Sequence, residues 1–308
     1  MFSLPPDTEL NLRRMGYDSW VDDLDEHLAL ILDRFQVTGL RVLSGGVAGL
    51  TLLAETLDQE VVVVKTQPTS LQRAVQALTY LADNSFTPQL LNKDEELNAI
   101  TISYIEGIEV GSDELLLTEA AAILQSWKGI DAQDLCSLRE YSQRRIDTTN
   151  MRIKTFNKLL ACDQLGTRTQ DILVSMEELW VPALKLREDL LSGSASDNGF
   201  LHCDFAPHNL LRRPNHELAV IDVGGACGDM AYDVSSMALH INVNNYLEAP
   251  QRIKELAQTL DVDSQAALIW GVFRAITSSA SLCTRRDRLD DAEILTLASR
   301  AILKSLEE

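Results

Sequence analysis

Three polar side chains in the second half of the chain have the types and the spacing for catalysis: Asp204, Asn209 and Asp222. The surrounding residues predict a short strand, then a loop that carries His202, Asp204 and Asn209, then a hairpin that Asp222 closes. A hairpin returns the chain to the place where it began. We therefore expect Asn209 and Asp222 to lie side by side at the open end of the hairpin, with Asp204 in the loop before it.

Such a set of side chains suits the transfer of a phosphoryl group. A carboxylate can accept the proton of a substrate hydroxyl, and an asparagine with an aspartate can hold the metal ions that bridge the phosphates of a nucleotide. The interpretation gives the first task to Asp204 and metal binding to Asn209 and Asp222. The cofactors expected from this chemistry are ATP and Mg²⁺.

The same stretch resembles a known family. Three motifs are similar to those of the aminoglycoside phosphotransferase and choline kinase superfamily, relatives of the protein kinases: His-x-Asp-x-x-x-x-Asn at 202–209, Ile-Asp at 221–222, and Gly-Asp-Met-Ala-Tyr-Asp at 228–233. The run 19–35 is most similar to the streptomycin 6-kinase and hydroxyurea kinase branch. The resemblance implies that the segment ending at Asp233 supports the catalytic loop.

Upstream of these motifs, the sequence predicts three antiparallel strands at 41–43, 50–57 and 60–65. Gly45 and Gly46 lie in the loop between the first two strands, where glycine lets backbone N–H groups approach a phosphate closely. Taken alone, this loop is better explained as an ordinary glycine turn. The resemblance implies that it covers the phosphates of ATP.

Lys65 ends the run Val-Val-Val-Val. A β-branched run favours a buried strand, which would hold the lysine ammonium at a fixed depth. A lysine that guards the end of an edge strand is the alternative. The resemblance implies that Lys65 contacts the α- and β-phosphates of ATP.

The chain departs from the family in the helix that follows. Family members carry there a glutamate that pairs with the strand lysine, but the matching position is Ala74, and no Asp or Glu occurs between residues 66 and 82. A buried ammonium without a partner is costly because it loses its hydration. The resemblance implies that Asp222 faces the same nucleotide site, so we expect Lys65 to contact Asp222, or another carboxylate outside this helix.

A further strand is predicted at 100–105. By resemblance, Ser103, Tyr104 and Ile105 form the hinge whose backbone binds adenine, although an ordinary buried strand would give the same pattern. From residue 113 onward the apolar spacing predicts helices, with Trp180 and Trp270 in their core.

At the N-terminus, residues 1–16 show no clear periodicity and are expected to form an arm. Asp18 is expected to cap one amphipathic helix that ends near residue 37.

Composition narrows the possible partners. The formal net charge of −19, from 46 acidic and 27 basic residues, excludes a nucleic-acid backbone as a good partner and would suit a cationic small molecule. The five scattered cysteines indicate reduced thiols. No run is long enough to span a membrane and no signal peptide is visible, so we expect a cytoplasmic protein without a membrane partner, present as a monomer or weak dimer.

These observations predict an α+β, bilobal protein-kinase-like fold. Residues 1–105 are expected to form a nucleotide-binding lobe with an antiparallel sheet, and residues 106–308 a larger, mainly helical lobe that holds the catalytic loop and the substrate. The predicted enzyme is a phosphotransferase with an alcohol group as acceptor. The alternatives are a non-catalytic nucleotide-binding protein, suggested by Ala74 and by Cys203 where the family prefers glycine, and an interaction protein that binds no nucleotide.

Overall fold

A computed structural model describes residues 4–43, 49–161, 166–193, 198–283 and 288–308. Gly45 and Gly46 lie outside the described residues.

The described chain divides into two compact units, and each contains two separate stretches of sequence. The first unit comprises Met1–Ile108 and Leu211–Val223, and the second comprises Glu109–Leu210 and Gly224–Glu308. The hairpin arm that leads to Asp222 is thus counted with the N-terminal residues.

A five-stranded antiparallel sheet is the framework of the first unit. Its central strand contains the valine run, and Val62, Val63 and Val64 are all buried, because a strand in the middle of a covered sheet is buried on both faces. The strands, in spatial order, are β1 (Val37–Val42), β2 (Leu50–Thr56), β3 (Val61–Thr66), β5 (Ala99–Ser103) and β4 (Leu90–Asp94).

Four helices accompany this sheet: α1 (Pro6–Arg14), α2 (Asp18–Asp22), α3 (Leu24–Phe35) and α4 (Gln72–Tyr80). The expectation of an unstructured N-terminal arm was wrong. Proline is favoured in the first turn of a helix, and Leu12 is fully buried in the same apolar cluster as Ile31 and Val64.

The single helix expected from residue 18 is also wrong, because Asp23 interrupts it. Asp18 begins α2 rather than capping it, since the N-cap residue is Tyr17 and makes no side-chain cap.

A second, three-stranded sheet has the order β6-β8-β9 and is made of β6 (Ile108–Glu109), β8 (Leu210–Arg212) and β9 (Leu218–Val220). Within the first unit, the Val220 amide donates to the Phe86 carbonyl at 2.6 Å, and the Arg213 guanidinium donates to the Ser85 carbonyl at 3.0 Å. These bonds fix the strand that leads to Asp222.

The second unit is mainly helical. Its helices are α5 (Leu117–Trp127), α6 (Leu138–Ala161), α7 (Thr167–Gly193), α8 (Ala231–His240), α9 (Ala249–Thr259), α10 (Ser264–Leu282) and α11 (Leu289–Glu307). Two short strands, β7 (Phe200–Leu201) and β10 (Ala226–Cys227), pair antiparallel beside them.

Helix α10 is the core of the second unit, because α6, α7, α8, α9 and α11 all pack on it. The Asp263 carboxylate caps this helix by accepting the amides of Gln265 and Ala266. Trp180 and Trp270 are buried as predicted. No helix in the described ranges is both long and apolar enough to cross a membrane.

Candidate active site

Lys65 and Asp222 meet within the first unit. Lys65 lies near the end of β3, opposite Thr51 and Ile100, and its Nζ donates to Oδ1 of Asp222 at 2.7 Å. The lysine side chain is 17% exposed and the aspartate side chain 69% exposed. The predicted contact is therefore confirmed, between a largely buried ammonium and a carboxylate that reaches solvent.

This contact supplies the negative charge that the following helix lacks. The first turn of α4 contains no acidic residue, and Ala74 lies in that helix. Asp222 follows β9 with a positive φ of 59°, a left-handed conformation that aspartate tolerates better than most residues. The backbone after β9 thus turns sharply where the carboxylate meets Lys65.

Of the glycine loop between β1 and β2, only its last residue, Gly49, is described. A Cβ atom at Gly49 would lie 2.6 Å from the Thr66 carbonyl oxygen and 2.6 Å from Cβ of Gln67. Glycine is required here because the loop passes directly against the end of β3, next to Lys65.

The segment predicted as the hinge leaves the sheet after Ser103. The Ser103 hydroxyl accepts the Gln89 amide at 2.8 Å, so this residue is held by the segment that leads into β4. Tyr104 is exposed and Ile105 is half-buried in the connection that leads to β6. A Cβ atom at Gly107 would lie 2.9 Å from Cβ of Leu211, which means that this connection runs tightly against β8.

The loop that carries Asp204 in the second unit is anchored by a buried carboxylate. Asp233, at the start of α8, accepts the amides of His202 at 2.5 Å and Cys203 at 2.9 Å. Burial raises the pKa of Asp233 to about 7, against the opposing effect of these two N–H groups. Cys203 has a φ of 72°, where glycine would be unstrained, and the bond to Asp233 helps to hold it there.

His202 also holds the loop that carries Asp204. Its ring is fully buried and stacks on Trp127 at 5.9 Å, and its Nδ1 accepts the Asp204 amide at 3.3 Å. The histidine therefore holds the loop in place.

Asp204 follows these anchored residues and its side chain is 52% exposed. Its Oδ1 accepts Nη2 of Arg274 at 3.2 Å, and Nε2 of His208 lies 3.8 Å from its Oδ2. Partial burial would raise the pKa of Asp204, but the interaction with His208 and the charge of Arg274 hold it well below the ordinary value. The carboxylate is thus ionised at neutral pH.

Asn209 lies beside Asp204 at the end of a single 3₁₀ turn, Pro207–Asn209. Its Nδ2 donates to the Asp204 carbonyl at 2.8 Å and more weakly to the Asp204 carboxylate at 3.4 Å. These bonds use the amide nitrogen, so the amide oxygen of Asn209 is left as an acceptor, which is the atom that a hard cation prefers.

Arg274 was not predicted from the sequence. It lies in α10 with a side chain that is 1% exposed, and it also donates to the Tyr232 hydroxyl at 3.3 Å and the Ser236 hydroxyl at 2.9 Å. Burial opposes its charge, but Tyr232 and Asp204 outweigh burial and raise the pKa of the guanidinium. A single arginine inside a helix that has no other charged residue is the sequence signal that could have identified it.

The structure therefore brings Lys65 to Asp222 in the first unit, and Asp204 to Asn209 and Arg274 in the second. Within the described residues, no cluster of three or more His, Cys, Asp or Glu side chains could hold a metal ion. A metal at these residues would have few protein ligands and would need further oxygen atoms from phosphate or water.

Comparison with known proteins adds the family and the fold. The sequence profile described as a phosphotransferase enzyme family, APH, matches residues 39–271. No curated protein sequence matches the chain significantly.

Several solved structures are similar. A choline/ethanolamine kinase family protein from Mesorhizobium loti is 14% identical, with a TM-score of 0.60 over 93% of this chain and 99% of that chain. The choline kinase LicA from Streptococcus pneumoniae, in complex with AMP, is 16% identical, with a TM-score of 0.58 over 93% and 97% of the two chains. A thermostable mutant of aminoglycoside phosphotransferase APH(4)-Ia, in a ternary complex with ADP and hygromycin B, is 13% identical, with a TM-score of 0.57 over 90% and 97%. Identities this low concern the fold alone.

Proposed function

Because the chain belongs to the APH phosphotransferase enzyme family, we propose that it transfers the γ-phosphate of ATP to a hydroxyl group of a small polar molecule. The observation that carries this proposal is the state of Asp204, an accessible carboxylate kept ionised by His208 and Arg274 at the end of a buried, anchored loop. An ionised carboxylate at this position of the motif is suited to orient a hydroxyl and accept its proton.

Asp204 acts mainly by alignment. A carboxylate whose pKa lies below the ordinary value of about 3.9 is a weak base for an alcohol, so it gains little as a proton acceptor before the phosphoryl group moves. Most of the rate enhancement then comes from the position of the hydroxyl and from electrostatic stabilisation of the transferring group. Arg274 contributes by fixing Oδ1 of Asp204, while Oδ2, which has only longer contacts with Asn209 and His208, faces the substrate.

The nucleotide is assigned to residues 1–105, and the acceptor and catalytic loop to 106–308. In this proposal Lys65 binds the α- and β-phosphates, Gly45 and Gly46 contribute backbone N–H groups to the phosphates, and the hinge binds adenine. The hinge residues are Ser103, Tyr104 and Ile105.

Mg²⁺ is assigned to Asn209 and Asp222. The residues fit this ion, because both offer hard oxygen donors: the exposed carboxylate of Asp222 and the amide oxygen that Asn209 keeps while its nitrogen binds Asp204. When bound, the ion neutralises phosphate charge. Before Mg-ATP binds, Lys65 neutralises the charge of the Asp222 carboxylate. In the complex, Lys65 would contact the phosphates and Asp222 would contact the metal ion.

The proposed acceptor is a small molecule with a free hydroxyl group. Similar structures include choline kinases and an enzyme crystallised with hygromycin B, which makes aminoglycoside-like sugars and amino alcohols the first compounds to test. The net charge of −19 was the basis for expecting a cationic acceptor, but surface charge acts over only about 8 Å at physiological salt, so the charge near Asp204 decides more than the total. A role in antibiotic resistance would follow only from phosphorylation of an aminoglycoside antibiotic.

A second candidate, a nucleotide-binding protein without catalysis, is favoured by one observation. Cys203 replaces the family's glycine and has a left-handed backbone, a strain of the order of 1–3 kcal/mol next to Asp204. Under this alternative, Mg-ATP binds and no acceptor is ever phosphorylated.

The test combines binding with turnover. Thermal unfolding is followed with and without Mg-ATP, where nucleotide at about 100 times its dissociation constant should add about 2.7 kcal/mol of stability. Hydroxyl compounds are then screened by ATP consumption, and products are checked by ³¹P NMR. Stabilisation with a phosphorylated acceptor supports the kinase, stabilisation without any product supports the second candidate, and no stabilisation contradicts both.

A further inference from the structure

Arg145, on α6, acts on Asp204, and Arg152 follows it on the same helix; neither arginine has a role in the proposed catalytic set. Arg145 and Arg152 are seven residues apart, which places them on one face of the helix, two turns from each other. Both side chains are half-buried, whereas the neighbouring Arg144 is exposed. The two guanidinium groups therefore place positive charge on a partly covered face of α6.

Arg145 is connected to the catalytic loop through α10. Its Nη2 donates to the Thr277 hydroxyl at 3.4 Å, and Thr277 follows Arg274 by one helical turn. Because Arg274 binds Asp204 directly, Arg145 lies about one turn of helix, roughly 5 Å, along α10 from the residue that holds the catalytic carboxylate. The charge of Arg145 also contributes to the low pKa of Asp204.

Neither arginine forms an ion pair with a carboxylate in the described part of the chain. Arg145 donates to an uncharged hydroxyl, and Arg152 has no hydrogen-bond or ion-pair partner among the described residues. Burial first, and the like charge of Arg145 second, lower the pKa of the Arg152 guanidinium. Two partly buried guanidinium groups on one helix face, without an ion-pair partner among the described residues, are suited to bind an anionic group of a ligand.

We propose that Arg145 and Arg152 bind an anionic group of the acceptor, such as a carboxylate or a phosphate, while the acceptor's hydroxyl faces Asp204. This assignment rests on the proposed kinase function and deepens it by naming the substrate class: a hydroxy acid or another anionic polyol. It replaces the expectation of a cationic acceptor, which was drawn from the net charge of the whole chain. A cationic amine would be repelled by both guanidinium groups.

The nucleotide is the other possible source of an anion for this pair. We favour the acceptor because Arg145 is linked to Asp204, the residue assigned to the acceptor hydroxyl, through Arg274 and Thr277. The phosphates of ATP already have Lys65 and the metal ligands in the proposed function. The experiment must therefore separate the two sources.

The first arm measures anion binding directly, with inorganic sulfate as the probe. Thermal unfolding is recorded against sulfate concentration at constant ionic strength, with and without saturating Mg²⁺ and AMP-PNP, a nucleotide that is not consumed. Wild type is compared with Arg145→Gln and Arg152→Gln, and with Arg144→Gln, which removes the same charge from an exposed position of the same helix.

We expect sulfate to stabilise the wild type and Arg144→Gln equally. In Arg145→Gln and Arg152→Gln its apparent affinity should fall about tenfold or more, the loss expected for one charge-assisted hydrogen bond. The sulfate effect should persist when Mg–AMP-PNP is bound.

The second arm uses acceptors that share a skeleton and differ in charge: glycerate, glycerol and 3-amino-1,2-propanediol, and glucuronate, glucose and glucosamine. Within each set the anionic member should give the highest kcat/KM with ATP. The arginine substitutions should raise KM for that member about tenfold or more and leave KM for ATP within a few-fold.

Three results would overturn the assignment. Equal sulfate effects in all four proteins would show that the arginines bind no anion. Loss of the sulfate effect on addition of Mg–AMP-PNP, or a rise in KM for ATP instead of the acceptor, would give the site to the nucleotide. Preference for the cationic members would refute the substrate class.

The proposed kinase function has its own control. If Mg–AMP-PNP does not stabilise the wild type, the kinase function is contradicted, whatever the sulfate titration shows.

Discussion

Replacement of Arg274 by methionine is the sharpest test of the geometry around Asp204. Methionine fills much of the space of the aliphatic part of the arginine side chain. It removes the guanidinium, which binds the Asp204 carboxylate, the Tyr232 hydroxyl and the Ser236 hydroxyl. Breaking a buried ion pair costs about 3–5 kcal/mol. Because Asp204 is 52% exposed and can regain water, we expect the lower end of that range, about 3 kcal/mol of unfolding free energy at pH 7.

The pH dependence distinguishes the ion pair from simple packing. The pKa of Asp204 is lowered in the folded protein, so the pair adds stability above the unfolded pKa of about 3.9 and loses it as pH falls towards the folded value. The difference in unfolding free energy between wild type and Arg274→Met should therefore be constant from about pH 7 to about pH 5 and narrow below about pH 4.

The assay is urea unfolding of both proteins across this range, with Arg252→Met as the matched control. Arg252 is a buried arginine whose hydrogen bonds go to the carbonyl groups of Ala238 and Asn245. Its substitution should cost stability with much less narrowing at low pH, because Glu248 and Glu255 act on its charge without a hydrogen bond to it. A difference for Arg274→Met that is below about 1 kcal/mol, or that stays constant to acid pH, would show that the ion pair with Asp204 does not stabilise the fold.

Three further predictions concern nucleotide binding and packing. Lys65→Met should weaken Mg-ATP binding by more than tenfold in a calorimetric titration, since a charge-assisted bond is lost, and unchanged affinity would remove the role of Lys65. Asp222→Ala should abolish Mg-dependent nucleotide binding more severely than Asn209→Ala, because it removes a charged ligand; equal affinity of the wild type with and without Mg²⁺ would count against both metal assignments. Gly228→Ala should destabilise by about 1–3 kcal/mol in urea, because its Cβ would lie 2.5 Å from a leucine side chain, whereas Gly193→Ala, with open space around it, should not; similar stabilities of the two variants would contradict this.

The catalytic motifs were the most predictable part of the molecule. Their spacing is local, so His-x-Asp-x-x-x-x-Asn and the Ile-Asp pair indicate the superfamily on their own, and membership of the APH family confirms it. The expected enzyme class, a phosphotransferase with an alcohol group as acceptor, is confirmed at the level of this family. The streptomycin and hydroxyurea kinase branch stays a prediction.

The fold class was also predictable, because the spacing of apolar residues along the sequence differs between strands and helices. The valine run predicted a central strand, and the spacing of apolar residues after residue 113 predicted helices. The expected α+β, kinase-like fold is confirmed by the five-stranded antiparallel sheet, the helical second unit and the similar solved structures.

Charge balance and the family resemblance together predicted one contact that spacing could not. Lys65 and Asp222 are 157 residues apart. The absence of any carboxylate in the helix of Ala74 indicated that the buried ammonium needs another partner, and the resemblance indicated Asp222. Arg274 obeys the same rule, since a buried guanidinium in an apolar helix also needs a carboxylate. Its partner Asp204 lies 70 residues away, and the apolar spacing of α10 predicts the helix without indicating that partner.

Local propensity misled at the N-terminus. Residues 6–14 have weak periodicity but form α1 because tertiary packing buries Leu12, and Asp23 divides a run that looked like one helix. Burial within a cluster is a property of the whole fold, which no window of sequence contains.

The proposal that Asp204 aligns the acceptor hydroxyl is tested most directly by Asp204→Asn. Mg-ATP affinity and turnover of the phosphorylated acceptor are measured side by side in this variant and in the wild type. The proposed role predicts an affinity within a few-fold of wild type and a turnover lower by about 10²–10⁴-fold, because the amide cannot accept the proton and loses its ionic bond to Arg274. Near-normal turnover in Asp204→Asn would contradict it.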